Sequence, residues 1–227
     1  MSKAAFGFWS ANRGKAMARQ DDRLEVEVKF WVAEHTAVRQ TLLSLGATLS
    51  KPRVFERNLR LDTPDQQLLQ KRQLLRVRQD TTVTVTFKSD TITLPDSEAK
   101  VREEIEFQAS DGETAVLLFQ RLGYSPVQVY EKYRETFQLG EVEVVLDELP
   151  FGNFVELEGP EAAIKTAAAQ LGLDWNHRLL TNYLALMAQL QAHHHLPFHD
   201  LTFANFAGHP FNISDVLPQS LFVSLNC

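Results

Sequence analysis

The sequence predicts an α+β protein of about eight antiparallel strands and four helices, whose successive hairpins bend into a strongly curved sheet or barrel. Two observations carry this. Strict alternation of apolar with charged or polar residues recurs along the chain, each run bounded by turn residues or charge, the pattern of antiparallel strands with one apolar face. Between these runs lie longer segments that end at glycine, one of them opened by proline, as helices do.

Leu24–Trp31 alternates without a break: Leu24, Val26, Val28 and Phe30 lie on one side, Glu25, Glu27, Lys29 and Trp31 on the other. Glu34–Leu45 reads as a helix stopped by Gly46. Asn58–Thr63 is a strand closed by Asp62-Thr63-Pro64. Alternation returns at Leu75–Arg78, Val83–Lys88 and Val101–Phe107, followed by a helix at Gly112–Leu122 that ends at Gly123. Val129–Phe137, Val142–Asp147 and Phe154–Glu158 complete the strands. The helix Glu161–Leu171 follows Pro160 and stops at Gly172, and Thr181–Leu190 carries Leu184, Met187 and Leu190 at helical spacing.

With 44% hydrophobic and 23% charged residues in 227, the chain is globular rather than disordered or fibrous, and long enough to bury a sizeable core. A net charge of −6 gives no global attraction to nucleic acid or to an anionic membrane. The single cysteine, Cys227, excludes an internal disulfide and suits a reducing compartment. No apolar run reaches the roughly 18 residues of a membrane span. Met1–Arg23 has bases but no continuous apolar core, so it is a poor signal peptide. The expectation is a cytoplasmic protein with no membrane partner, and nucleic acid is disfavoured.

Composition separates three parts: a basic N-terminal segment, 1–23, predicted to be disordered; a central region, 24–190; and a tail, 191–227, to which the sequence assigns no role. The tail lacks Lys and Arg, and its run His193, His194 and His195 reads as compositional, because zinc ligands must converge from different directions.

The polar sides of the strands carry the functional signal. They present Glu25, Glu27 and Lys29; Arg76 and Arg78; Thr84, Thr86 and Lys88; Arg102, Glu104 and Glu106; Lys132 and Arg134; Glu143 and Asp147; Glu156 and Glu158. Opposite them lie Leu75 and Val77, Val83, Val85 and Phe87, Val101, Ile105 and Phe107, Val142, Val144 and Leu146, and Val155 and Leu157. The Lys132 strand is the exception, with Glu131 and Glu135 flanking Tyr133. A single strand of this kind is ordinarily a solvated face. Seven in succession that prefer carboxylates and cations fit an interior lined by both signs, with the helices packed on the apolar outside. Clustered Lys and Arg hold a polyanion. Crowded carboxylates take up protons unless a cation sits among them, and all-oxygen ligation suits Mg²⁺ or Mn²⁺. Bases beside a carboxylate-bound cation are the equipment for cleaving phosphoanhydrides.

Glu25-Val26-Glu27-Val28-Lys29 resembles the ExExK opening of the CYTH superfamily, which comprises class IV adenylate cyclases and thiamine triphosphatases and is also called the triphosphate tunnel metalloenzymes. The resemblance continues in order through Asn58 with Asp62-Thr63-Pro64, Leu75-Arg76-Val77-Arg78 and Thr86-Phe87-Lys88. Arg102-Glu103-Glu104-Ile105-Glu106, Glu131-Lys132-Tyr133-Arg134, Asp147 with Gly152, Phe154, Glu156 and Glu158, and Asn182-Tyr183 follow. It spans Leu24 to about Leu190. Arg60 departs from it, standing where many members carry an aromatic residue.

The resemblance implies an eight-stranded antiparallel barrel open at both ends, holding triphosphate inside. It implies metal binding by Glu25, Glu27, Asp147, Glu156 and Glu158, joined by Glu104 or Glu106. Lys29, Arg76, Arg78, Lys88, Lys132 and Arg134 would hold phosphate, with Arg102 a further candidate. Of these, Glu25, Glu27, Lys29, Lys132 and Arg134 are the expected catalytic set. Two Mg²⁺ or Mn²⁺ ions would serve, one bridging substrate oxygens and one activating water. The function expected is hydrolysis of inorganic triphosphate, a nucleoside triphosphate or thiamine triphosphate. The alternatives are a class IV adenylate cyclase or a non-catalytic polyphosphate- or RNA-binding module. The partner is a triphosphate-bearing small molecule; the oligomeric state is not readable from the sequence.

Overall fold

β1 (Leu24–Val32), β2 (Thr48–Asp62), β3 (Gln73–Gln79), β4 (Val83–Ser89), β5 (Lys100–Ala109), β6 (Ser125–Leu139), β7 (Val142–Leu149) and β8 (Gly152–Glu158) form one closed antiparallel barrel in the order β1-β5-β4-β3-β2-β6-β7-β8. The computed structural model describes residues 23–90 and 96–218. The expectation of disorder over the N-terminal segment lies outside these residues except for Arg23, as does Cys227.

The barrel forms because the strands place their apolar residues on one side. Val28, Phe30, Val142, Val144, Leu146, Val155 and Leu157 point outward and are buried under two helices. These are α1 (Thr36–Ser44), through Val38 and Leu42, and α4 (Glu161–Gln170), through Ile164, Ala167 and Ala168. On the other flank Leu61, Leu75, Val77 and Val85 pack with Leu68 of α2 (Gln67–Gln70). Val116 and Phe119 of α3 (Gly112–Arg121) complete that cluster, and Asp111 caps α3 by accepting from the Thr114 N–H.

Closure between β8 and β1 depends on Gly159, whose φ is +148° and whose N–H donates to the Val26 carbonyl. A Cβ there would lie 2.7 Å from the Glu141 oxygen, so only glycine fits. β5 leaves β1 after pairing Lys100 with Glu27. The vacated edge is taken by Leu179, which exchanges two backbone hydrogen bonds with Lys29 at 3.2 and 2.7 Å.

The strand assignments follow the alternation closely, with four differences. β2 begins at Thr48, ten residues before Asn58, where the sequence reading starts it; its first half carries Pro52 and register shifts that break the pattern. The four-residue α2 has no periodicity to read. Instead, Asp62 builds it, accepting from the N–H groups of Thr63, Leu68 and Leu69. Ile105 and Phe107 do face outward but are 41% and 56% exposed, because α3 lies over β3 and β6 rather than β5. Lastly, the tail is structured as far as it is described. α5 (Tyr183–His194), capped by Asn182, runs into it, and α6 (Phe203–Phe206) is capped by Thr202. Leu196, Leu201, Phe206, Ile213 and Leu217 bury themselves against Phe151, Phe154 and Tyr183. The last of the three histidines, His195, ends α5, and His194 bonds Asp215 at 2.8 Å.

Glu131 and Glu135, the charged residues on the outer side of β6, are both engaged. Glu135 accepts two hydrogen bonds from Arg39 of α1, and Glu131 accepts the Phe203 N–H from α6.

Candidate active site

Inside the barrel is a cavity of about 930 Å³. Of the metal and phosphate residues expected from sequence, all but Asp147 line it. They come from six strands, β1, β3, β4, β5, β6 and β8, because period-2 alternation sends every second side chain inward. Asp147 of β7 lies opposite Arg134 on the same inner face and is fully buried beneath the lining; it accepts from Lys132 at 2.9 Å, from Arg134 at 2.7 and 2.6 Å, and from the Tyr183 hydroxyl at 3.0 Å.

The interior charges are joined in one chain of alternating sign. Asp80 lies 3.8 Å from Arg78 and pairs with Lys51. Lys51 is 3.8 Å from Glu56, and Glu56 is 3.8 Å from Lys132. Lys132 leads through Asp147 to Arg134, which also pairs with Glu156. Glu156 lies 3.2 Å from Lys29, and Lys29 lies 2.7 Å from Glu27. Arg102 joins Glu27 to Glu25, Lys88 lies 2.7 Å from Glu25, and the run ends at Glu104, 2.8 Å from Lys88. Apart from this chain, Arg76 donates to Thr86 at 2.9 Å and to Glu106 at 3.2 Å.

The pairing decides which groups stay charged. Burial alone would raise the carboxyl of Glu27, but Lys29 and Arg102 outweigh it and hold the group down at about 2. Glu156 is held well below the ordinary range against burial by Lys29 and Arg134. Glu104 and Glu158 go the other way. Burial, reinforced by Glu25, pushes Glu104 up to about 7 despite Lys88. Burial followed by Glu25 pushes Glu158 up to about 8, with Glu143 and Glu104 adding to the effect.

The shift at Glu158 has a measurable consequence. Its folded value lies above its unfolded one, so the stability it confers is complete below about pH 4.5 and is lost as pH rises through about 8. His35, lowered by burial, and Lys100, lowered to about 8 by burial, titrate below and above the informative window. Between pH 6.5 and 8 the metal-free protein is expected to lose about 2–4 °C of Tm, roughly 1 kcal/mol for a domain of this size. Glu104, pushed up to about 7, titrates in the same window, so Glu158→Gln should lessen that slope and the double variant Glu104→Gln/Glu158→Gln should flatten it; an equally steep double variant would locate the titration elsewhere.

Lys51, Glu56 and Asp80 carry no expectation from sequence, because β2 alternates irregularly before Asn58 and Asp80 sits in a turn. Tyr130, whose hydroxyl accepts from Arg76 at 3.3 Å, is hidden as one aromatic residue among several on β6. Arg60, the departure from the family pattern, does enter the cavity wall.

A ring of eight strands with this inward lining is the architecture the sequence motifs implied, and the CYTH domain family matches residues 23–181. The chain belongs to the CYTH family. A Methanocaldococcus jannaschii protein named as a candidate adenylate cyclase is 31% identical over 137 residues, covering 60% of this chain and 76% of that protein. Among solved CYTH-like structures, a candidate adenylate cyclase from Vibrio parahaemolyticus superposes with a TM-score of 0.64 at 20% identity, covering 73% of this chain and 98% of its own. A Hippeastrum protein, described as a candidate adenylyl cyclase with a dominant triphosphatase activity, superposes with a TM-score of 0.52 at 16% identity, over 71% of this chain and 94% of its own. The CYTH match stops at residue 181, before most of α5 and all of the tail. Among the described residues, no helix is long and apolar enough to cross a membrane.

Proposed function

We propose that this CYTH protein is a divalent-cation-dependent triphosphatase that removes the terminal phosphate of inorganic triphosphate, a nucleoside triphosphate or thiamine triphosphate. The observation that carries the reading is the joint presence, in one cavity, of a row of bases and a group of carboxylates that includes Glu25, Glu104 and Glu158. A polyanion site needs the bases alone; carboxylates in the same wall serve a cation.

The donor chemistry fits Mg²⁺ or Mn²⁺. Glu104 and Glu158 are crowded carboxyls held up near neutrality, so a cation has protons to displace there, and every donor is oxygen. Among the described residues no three acidic or imidazole side chains already converge on one point. Glu25, Glu27 and Glu156 are turned to bases that a polyanion would take over. Glu25, Glu27, Glu104, Glu156 and Glu158 would hold the two ions, which supply neutralisation of phosphate charge and activation of water. Glu104 suits this better than Glu106, whose carboxylate is occupied by Thr86 and Arg76.

Lys29, Arg76, Arg78, Lys88, Lys132 and Arg134 grip the phosphates, with Arg102 beside Glu25 and Glu27 at the cation end. Asp147, expected as a metal ligand, shares the inner face with Lys132 and Arg134 and orients both, and it joins the ligand set where a polyanion takes those bases over. Hydrolysis adds water across the terminal phosphoanhydride and leaves orthophosphate and the shortened phosphate chain. Basic side chains stabilise the charge that develops on the transferred and departing oxygens.

The name of the Methanocaldococcus relative favours a second reading, cyclisation of ATP to cyclic AMP and pyrophosphate. Product analysis separates the two. With Mg²⁺ or Mn²⁺, orthophosphate is expected from inorganic triphosphate, which has no ribose. Cyclic AMP with stoichiometric pyrophosphate, and no orthophosphate from any substrate, would replace hydrolase by cyclase.

The two strand faces give a second test. Val77 is 2% exposed in the outer cluster, so Val77→Ala is expected to cost about 1–2 kcal/mol of stability with kinetics near wild type. Arg76→Ala, one residue away and facing inward, should raise KM for triphosphate instead. Thermal melts and kinetics on both variants check this, and a catalytic loss confined to Val77→Ala would mean the faces are inverted.

A further inference from the structure

We propose that Tyr130 is a further catalytic residue: its hydroxyl, held by Arg76, donates its hydrogen to an oxygen of the bound phosphate chain as charge builds there. This rests on the triphosphatase reading for what fills the cavity, and adds a neutral donor to the row of bases.

Tyr130 stands on the inward row of β6, two residues before Lys132 and four before Arg134, and lines the cavity with both. It is 6% exposed, and its ring belongs to the apolar cluster formed with α5 and the tail. The hydroxyl accepts from Arg76 Nη1 at 3.3 Å. Among the described residues nothing accepts the hydroxyl hydrogen in return. A phenol both accepts and donates, so the donor half of this group faces the cavity with its capacity open.

Arg76 is in the same condition. Only 7% exposed, it directs Nη1 to Tyr130 and Nη2 to Thr86 and Glu106, at 2.9 and 3.2 Å, while its buried Nε has no partner. Two buried donors in one wall therefore lack an acceptor. That is costly in a folded chain, and an oxygen-rich anion satisfies both.

The pair also does what neither group does alone. A hydroxyl that accepts from a cation is polarised and donates more strongly. The phenol thereby passes part of the guanidinium's pull to a phosphate oxygen beyond the one Arg76 meets directly. Negative charge shifts between oxygens during phosphoryl transfer, and a donor already fixed in a buried wall stabilises it without reorganising.

The chain holds this ring from both edges of its strand. β7 pairs with β6 only from Tyr133 onward, and before that point the tail takes the edge, with Leu201 bridging Tyr130 in parallel. The Leu201 N–H donates to the Val129 carbonyl at 2.9 Å, and the Leu201 carbonyl accepts the Glu131 N–H at 2.8 Å. The Asp200 carboxylate accepts the Val129 N–H at 2.9 Å. On the other edge Tyr130 is registered with Asn58 of β2. Half of the clamp therefore comes from a segment beyond the reach of the family match.

Tyr130→Phe tests the donor, since it removes one oxygen and leaves the ring in its cluster; Tm should stay within about 2 °C of wild type. With Mg²⁺, kcat/KM for inorganic triphosphate should fall at least about tenfold, the scale of one lost hydrogen bond to a charged group. A smaller loss overturns the proposal. In an Arg76→Ala background the same change should cost less, because the hydroxyl is no longer held; an equal loss would separate the two groups and overturn their pairing. Calorimetry with inorganic triphosphate and no divalent cation, at a temperature where both proteins are folded, reads the contact without turnover. Kd should rise at least about threefold in Tyr130→Phe, and a smaller rise overturns the proposal. A wild type that binds but hydrolyses nothing fails the triphosphatase reading alone, and the Kd comparison then decides for Tyr130. One that neither binds nor hydrolyses overturns both.

Discussion

Glu27→Gln is expected to reduce triphosphate hydrolysis at least about a hundredfold while the chain still folds. Glu27 is 4% exposed and stands at the middle of the interior charge chain, accepting from Lys29 at 2.7 Å and from Arg102. Glutamine keeps the shape and one acceptor oxygen but removes the negative charge that orients both bases and that, in the proposed reading, would hold the cation. Alanine is the poorer probe. It strips the acceptor from two buried cations, a change worth about 3–5 kcal/mol when nothing else compensates, so lost activity would be confounded with lost structure. Kinetics at saturating Mg²⁺ beside a thermal melt measure both. A Glu27→Gln protein that turns over at the wild-type rate would move the chemistry out of the barrel.

Arg134→Ala should be damaging in both respects. The guanidinium holds Asp147 bidentately and also pairs with Glu156, and it lines the cavity. Without it Asp147 keeps Lys132 and the Tyr183 hydroxyl, and Glu156 keeps Lys29, so the expected cost is at the lower end for a broken buried pair, about 3 kcal/mol. For a chain of this length that is roughly 10 °C of Tm. Activity should fall at least about a hundredfold, the loss typical of removing one charge-stabilising donor. Combining Arg134→Ala with Asp147→Asn relieves the orphaned charge, so Tm should recover in part and activity should not. Recovery of both would reduce Arg134 to a structural role.

Much of the site was legible because an antiparallel strand reports its geometry in steps of two. Glu25, Glu27 and Lys29 alternate with Val26 and Val28, and Arg76 and Arg78 enclose Val77, so inner and outer faces could be separated without any structure. The legibility stops where that period stops. Pro52 and the register shifts of β2 interrupt the alternation that would have turned Lys51 and Glu56 inward. The α2 loop depends on one side chain, Asp62, accepting three backbone donors, and a single aspartate after a strand does not announce that in a sequence. The tail has no period at all. Leu196, Leu201, Phe206 and Ile213 reach one cluster separately: Leu201 through its bridge to Tyr130, and Phe206 and Ile213 from short turns capped by Thr202 and Asn212. Ile105 and Phe107 mark a different limit: alternation tells which way a side chain points, not whether a helix arrives to cover it.

The interior charge chain makes the barrel its own counterion. Each base from Lys51 to Lys88 already has a carboxylate, so a polyanion entering alone must strand those carboxylates, and a cation entering alone must strand the bases. Either ligand therefore prepares the interior for the other, and by thermodynamic reciprocity each improves the other's affinity by the same factor. Calorimetric titration of triphosphate at rising Mg²⁺ is expected to show affinity increasing beyond what chelation in solution supplies, and flat affinity would contradict it. A lining so matched to itself discriminates against either ion alone and is open chiefly to the two together.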